Sequence, residues 1–454
     1  MTKVLLLNPP GEVIRTGRLV RRSKVGTQGW PPIFLAYAAG ALEKAGAECR
    51  IIDASVMGYT EDETDAIIDA WKPDEVAYYW AYDTYRGDLD YANWLATKYR
   101  VTLVGPWSAH LPNALDLYQR IYAMTFGCFE KTLVRLYGGE KPRQIPGLKY
   151  REGDAVLFNP QGDPPTSAEL DELPMVSEVY KRLLDVTKYH QTSLRYPFTD
   201  LFSGTPGSCY GRCTFCSWTN GMHLLHPKRW ATRSLRSVMD ELWFIKREMP
   251  EVKQVFFQDS TLPTPWGLKI ADQMVEEKLD LCWGCYSRPD KTYEEIMRFK
   301  EAGCRTFHVG YECPDQVILD EIRKDTTVPQ ITRFAKDMRR AGMWQSMSLM
   351  IYPWMTEKQI KGMVKWAREM NPTRINVAQL QVYPNVPIAE TVRAYADLPG
   401  KHLMGFEEMR EWEQYCFREF YVRNPRFWLN VASNPGELAE VVKSGWGLLK
   451  FFLE

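Results

Sequence analysis

A chain of 454 residues with 45% hydrophobic residues is long for one domain and has material for more than one sizeable core. Lys plus Arg equals Asp plus Glu at 57 each, so no global field supports binding of nucleic acid, although Arg15 to Lys24 is locally basic. No apolar stretch reaches the roughly eighteen residues that span a bilayer, and the opening apolar run is too short for a signal peptide, so a cytoplasmic globular protein is expected.

From Met1 to about Gly139 short apolar runs alternate with amphipathic helices, the pattern of a parallel sheet with crossover helices. Val4 to Leu7 predicts the first strand, Ile33 to Ala45 a helix stopped by Gly46, and Cys49 to Asp53 the next strand. Thr60 with Glu63 makes a capping box, and Glu75 to Trp80, Val101 to Gly105 and Ile121 to Phe126 supply further strands. The expectation is a doubly wound, Rossmann-like α/β domain. Ligands of such sheets sit beyond the carboxyl ends of the strands, which singles out Asn8, Pro9, Asp53, Tyr79, Trp80, Gly105, Pro106, Trp107 and Ser108. No GxGxxG run is present, which argues against a dinucleotide site.

Lys149 to Arg151 and Ala155 to Phe158 flank Glu152-Gly153-Asp154, a hairpin signal, and Pro160 to Pro174 is Pro/Asp-rich and reads as a linker. The domains are therefore expected at residues 1–160, with a linker at 161–195, a second α/β domain at 196–395 and a helical, aromatic-rich region at 396–454. Strands near Asp200 to Ser203, Gln254 to Gln258, Leu281 to Ser287, Thr306 to Gly310, Gln345 to Ile351 and Arg374 to Gln381 alternate with helices in the second domain, giving a partial (β/α)6 TIM-like barrel.

The barrel contains Cys209, Cys213 and Cys216 at C-x3-C-x2-C spacing. Three thiolates so close in sequence suit a four-iron cluster with one iron left open to another ligand. Zinc would need a fourth ligand, and the neighbours His223 and His226 have a spacing common by accident. Most of the ten cysteines lie outside the loop with no disulfide-like framework, in keeping with a reducing compartment. Cys282 and Cys285 copy a C-x2-C spacing but fall in a strand, where residues three apart point to opposite faces.

The triplet, with an aromatic at Phe215, resembles the radical S-adenosylmethionine (SAM) superfamily. Asn8-Pro9-Pro10, Gly29-Trp30-Pro31-Pro32 and Leu35-Ala36-Tyr37 are similar to the branch with an N-terminal cobalamin-binding domain. The resemblance implies three cofactors: a 4Fe-4S cluster on the three cysteines, SAM and cobalamin. It adds Phe215 and Trp30 to the cofactor-binding set and places Asp259 and Ser260 near the SAM amino group. It sets Arg288 at the SAM carboxylate, Glu312 at the ribose and Gln379 on the adenine side. No Asp-x-His-x-x-Gly run is present, so it implies cobalamin with no protein histidine beneath the cobalt, and Tyr79, Trp80 and Trp107 are candidates to shield that face. The chain departs from the branch at Val104-Gly105-Pro106-Trp107, at Gly127-Cys128-Phe129-Glu130, and at Tyr352 and Trp354, where small residues are usual.

What the resemblance implies for function is methylation of an unactivated carbon, a 5'-deoxyadenosyl radical taking the hydrogen and methylcobalamin giving the methyl group. It also implies an electron donor such as a ferredoxin or flavodoxin. The substrate stays open; a peptide or protein residue, such as glutamine or arginine of methyl-coenzyme M reductase, is one class. A non-methylating ring closure or rearrangement is the alternative, and a non-catalytic cobalamin-binding protein a third, against which the intact Cys209, Cys213, Cys216, Asp259, Arg288 and Glu312 argue.

Overall fold

The computed structural model describes residues 1–11, 13–14, 20–21, 29–191, 193–207, 209–217, 231–398 and 402–432. The basic run Arg15 to Lys24 lies almost wholly outside the described residues; His223 and His226 lie outside them, as does the end of the C-terminal region. The chain forms two compact units, one of Met1–Gln191, Tyr196–Thr205 and Gly221–Lys253, the other of Thr192–Arg195, Pro206–Asn220 and Gln254–Glu454.

The first unit is built on β1 (Lys3–Asn8), α1 (Ile33–Lys44), β2 (Glu48–Asp53), α2 (Glu61–Trp71), β3 (Glu75–Tyr79), α3 (Tyr85–Leu95), β4 (Arg100–Val104), β5 (Ala123–Thr125), α4 (Phe129–Tyr137), β6 (Leu148–Glu152) and β7 (Ala155–Phe158). The sheet order is β2-β1-β3-β4-β5-β6-β7. The ladders are parallel through β5, and the expected hairpin, β6 with β7, extends the sheet antiparallel. Val4 to Leu7 are wholly buried, because a strand inside a parallel sheet is covered on both faces. The Thr60–Glu63 capping box forms at the start of α2. The unit also holds α5 (Val176–Leu183), β8 (Phe198–Leu201) and α6 (Leu235–Glu248). Glu241 of α6 accepts from the Ser177 backbone at 3.0 Å and hydroxyl at 2.9 Å, and pairs with buried Arg233.

In the second unit follow β9 (Gln254–Phe257), α7 (Thr264–Glu276), β10 (Trp283–Ser287), α8 (Tyr293–Glu301), β11 (Cys304–Glu312), α9 (Gln316–Glu321), α10 (Val328–Arg340), β12 (Trp344–Ile351), α11 (Glu357–Met370) and β13 (Arg374–Gln379). Within the second unit the strands β9 to β13 lie side by side in chain order, with parallel ladders throughout. Capping boxes at Thr292–Glu295, Thr327–Gln330 and Thr356–Gln359 start α8, α10 and α11, satisfying helix donors that would otherwise be orphaned. Helical structure resumes at α12 (Ile388–Ala396), earlier than the expected start near Leu398, and continues through α13 (Phe406–Phe417) and α14 (Pro425–Ala432). Pro387 immediately precedes α12, a placement its fixed φ suits.

Among the described residues no helix is long and apolar enough to cross a membrane.

Candidate functional site

In the second unit the strand ends and two loops converge. Cys209, Cys213 and Cys216 form no disulfide, and each of the first two feels the charge of Cys216. The Gly211 N–H donates to Cys209 Sγ at 3.3 Å, and Arg288 Nη1 to Cys213 Sγ at 3.5 Å. Burial pushes both thiols up; the Gly211 amide pulls Cys209 back, and the Lys324 and Arg288 charges pull Cys213 back. Among the described residues no three His, Cys, Asp or Glu side chains are gathered closely enough for a single metal ion. A cubane asks for something else, one thiolate on each of three irons.

Arg288 follows β10 directly and is 8% exposed, so it is buried at the cysteine loop rather than in a surface ion pair. Its Nη2 donates to the backbone carbonyl of Lys324. Lys324 in turn donates from Nζ to Glu312 Oε1 at 2.7 Å, with both side chains buried. Burial alone would lower the Lys324 pKa, but the Glu312 and Cys213 charges outweigh it and raise it. The segment 322–325 is tied to the cysteine loop as well, since Thr214 N–H donates to the Ile322 carbonyl at 2.9 Å.

Local backbone explains how Glu312 gets there. The β11–β12 register slips between Gly310 and Glu312, and Glu312 takes a left-handed φ of 63°. That conformation is costly for a residue with a Cβ, and turns the carboxylate back over the strand. Gly310 makes room: a Cβ there would stand 2.5 Å from Glu312 Oε1 and 2.9 Å from Lys324 Nζ. The glycine two residues before Glu312 thus has a packing reason.

Asp259 and Ser260 follow β9, with Asp259 buried. Phe215 packs edge-on against Tyr352, centroids 6.3 Å apart. Gln379 ends β13, but its Nε2 donates to Glu413 of α13 at 2.8 Å. One face of the barrel strands is open: Tyr286, His308, Ser348, Met350 and Asn376 are half-buried or exposed although they lie within strands, while the residues alternating with them are buried. The register sets Tyr286 beside His308 and Ser348 beside Asn376. This face carries rings and hydrogen-bonding groups, with Phe256 and Tyr286 each within about one ring width of His308 at 4.8 and 5.3 Å between centroids.

In the first unit the flagged residues fall along the carboxyl edge of the sheet. Asn8 pairs with Asp53 in register and donates from Nδ2 to Asp53 Oδ1 at 2.8 Å, the same oxygen that caps the turn at Val56. Tyr79 is in register with Val104, and Gly105 then turns with φ 124°; a Cβ on it would lie 3.0 Å from the Tyr79 ring. Pro9, Trp107 and Ser108 are buried beyond these ends, Pro106 half-buried, and Trp30 is buried edge-on to Phe198 at 5.2 Å. Trp80 Nε1 and Ser108 Oγ are buried with no hydrogen-bond partner among the described residues. Orphaned buried donors are rare in folded proteins, and two at one sheet edge fit a bound group with acceptors to offer. The sequence reading missed His110, the first histidine of the chain, which is buried against Trp107 and Tyr82.

Glu130, in the run that departs from the family pattern, is buried at the start of α4, and burial pushes its carboxyl up to about 7. Burial does the same to Glu75. The folded protein holds these protons up to near neutrality and the unfolded chain releases them in the ordinary carboxylate range. Stability should therefore be greatest at low pH within this window and fall as pH rises toward and through 7. Melting the unloaded protein from pH 5 to pH 8 should show that decline, and Glu130→Gln should remove part of the slope, leaving the Glu75 share.

Residues 205–367 match the Radical SAM superfamily. The sequence is similar to the anaerobic magnesium-protoporphyrin IX monomethyl ester cyclase of Cereibacter sphaeroides, 23% identical over 402 residues, 80% of this chain and 60% of that protein. It is 22% identical over 379 residues to the enzyme of the same name from Rubrivivax gelatinosus, 78% of this chain and 65% of that one. The chain thus spans less than two thirds of either. Among solved structures it is similar to TsrM of Kitasatospora setae, a radical SAM methyltransferase with tryptophan and a SAM analogue bound, at TM-score 0.67 and 17% identity over 92% of this chain and 83% of that one. It is also similar to OxsB, a cobalamin-dependent radical SAM enzyme with aqua-cobalamin and SAM bound, at TM-score 0.64 and 14% identity over 92% and 66%. At these identities the likeness is one of fold.

Proposed function

We propose that this chain, which carries a radical SAM domain in the fold of the cobalamin-dependent radical SAM enzymes, is a carbon methyltransferase using a 4Fe-4S cluster, SAM and cobalamin. The observation that carries the reading is the convergence of Cys209, Cys213 and Cys216 with Arg288, Lys324 and Glu312 at the carboxyl end of the barrel. When bound, the cluster supplies the electron that cleaves SAM, and cobalamin supplies a transferable methyl group.

The chain's own part is binding and orientation. The three thiolates would hold three irons, and the Gly211 amide and Arg288 would stabilise the negative charge on the sulfurs. Arg288 and Lys324 present two cations for the SAM carboxylate, Asp259 an anion for its ammonium, and Glu312 acceptors for the ribose. Trp80, Ser108 and the cradle at Gly105 would take cobalamin in the first unit. The open strand face bearing Tyr286, His308, Ser348 and Asn376 would receive the substrate, and its rings and uncharged hydrogen-bonding groups suit a ring-bearing or amide-bearing molecule over a multiply charged one.

A second reading, ring closure without methyl transfer, is favoured by the name that both cyclase relatives bear. The two part on products. Anaerobically reconstituted protein with SAM and cobalamin would be offered L-tryptophan, glutamine- or arginine-containing peptides, and magnesium-protoporphyrin IX monomethyl ester in parallel. Methyl transfer gives S-adenosylhomocysteine and 5'-deoxyadenosine in roughly equal amounts with a methylated product. Turnover of any of these substrates to an unmethylated product without S-adenosylhomocysteine would replace the first reading with the second.

A further inference from the structure

Tyr352 follows β12 at the carboxyl end of the barrel. It is fully buried, and its hydroxyl has no hydrogen-bond partner among the described residues. Its surroundings make this unusual. Within the same unit Trp354 Nε1 donates to Glu321 at 2.9 Å, Tyr311 Oη to Gln345 at 2.8 Å, Trp283 Nε1 to the Ala302 carbonyl at 2.8 Å, and Trp366 Nε1 to Thr332 at 3.0 Å. The unit satisfies those aromatic tips and leaves the Tyr352 hydroxyl bare. A buried phenol without an acceptor costs free energy comparable to a lost hydrogen bond, and a ligand that brings the acceptor removes the cost.

The neighbours say which ligand. The ring stands edge-on to Phe215, inside the cysteine loop and one residue from Cys216. Of the charges acting on the hydroxyl, that of Glu312 is the largest, followed by those of Cys313 and Cys213. The phenol is therefore buried close to the cysteine loop and under the influence of the carboxylate assigned to the ribose. The methionyl end of SAM is already provided for by Arg288, Lys324 and Asp259.

We infer that Tyr352 is a further SAM-positioning residue, its hydroxyl donating a hydrogen bond to an oxygen or nitrogen of the adenosyl half of bound SAM. The inference rests on the radical SAM reading above. It also gives a purpose to a bulky aromatic where related chains keep small residues: the ring fills the space and the hydroxyl fixes the nucleoside.

Tyr352→Phe keeps the ring and removes only the hydroxyl, so its two effects have opposite signs. In the unloaded protein, deleting an unsatisfied buried donor should raise the melting temperature, by about 1–3 °C. In the anaerobically reconstituted protein, calorimetric titration with SAM and separately with S-adenosylhomocysteine should show affinity weakened about three- to tenfold for both, since both carry the adenosyl group. Unchanged affinity in the variant, or an unloaded variant that melts below wild type, overturns the inference, the latter because it means the hydroxyl is already satisfied within the protein. Wild-type protein that binds neither compound overturns the radical SAM reading itself, and the inference falls with it. A wild type that binds and a Phe variant that does not weaken would sink the inference alone.

Discussion

Cys213→Ala is expected to abolish SAM cleavage, lowering it by about three orders of magnitude or more, as when one member of a group acting as a unit is removed. Of the three loop thiols, Cys213 is the most buried, at 7% exposure, and the one whose sulfur takes the Arg288 guanidinium. Its loss removes one iron corner and leaves Arg288 pointing at a methyl group. Iron and sulfide per chain, measured after anaerobic reconstitution, should fall with the activity. Cys49→Ala is the control: that thiol is buried in β2, where burial pushes it up to about 12, so it stays protonated and holds no metal. A Cys213→Ala protein with full iron content and undiminished 5'-deoxyadenosine production would show that the loop is not the cluster site.

The strands and the cysteine loop were legible in the sequence because each rests on a local pattern. Val4 to Leu7 is a continuous apolar run, as a strand buried on both faces requires, and the cysteine loop is legible from spacing alone. Arg288 could be read from its place just after a strand, because barrel chemistry sits there, and Glu312 from the family resemblance. Lys324 could not. It lies in Ile322-Arg323-Lys324-Asp325, which in sequence is a charged turn after a helix. Left-handed Arg323 and Asp325 bracket it, and the turn bonds to Thr214 and Arg288, which is what carries Lys324 inward. Turns of that kind are set by tertiary hydrogen bonds, and no periodicity announces them. His110 was hidden for a related reason: it is not at a strand end but caps the 3-10 turn Pro106–Ala109 that follows one. For Tyr352 the residue was visible as an intrusion in the family pattern, while the bareness of its hydroxyl exists only in the fold.

The Glu312–Lys324 pair carries the other large effect, and the two halves of a double-mutant cycle should disagree about its worth. Lys324→Met leaves the Glu312 carboxylate buried beside Cys213 without its cation. Breaking one side of a buried pair costs about 3–5 kcal/mol. Lys324→Met should therefore melt well below wild type. Adding Glu312→Gln to Lys324→Met replaces the pair with two neutral side chains, so most of the stability should return. SAM binding should not return with it, since neither the cation facing the SAM carboxylate nor the ribose acceptor has been restored. Denaturant melts give the first quantity and calorimetric titration with SAM the second. If the double variant regained both stability and SAM affinity, the pair would be a structural strut only, and Arg288 alone would have to hold the cofactor's charged end.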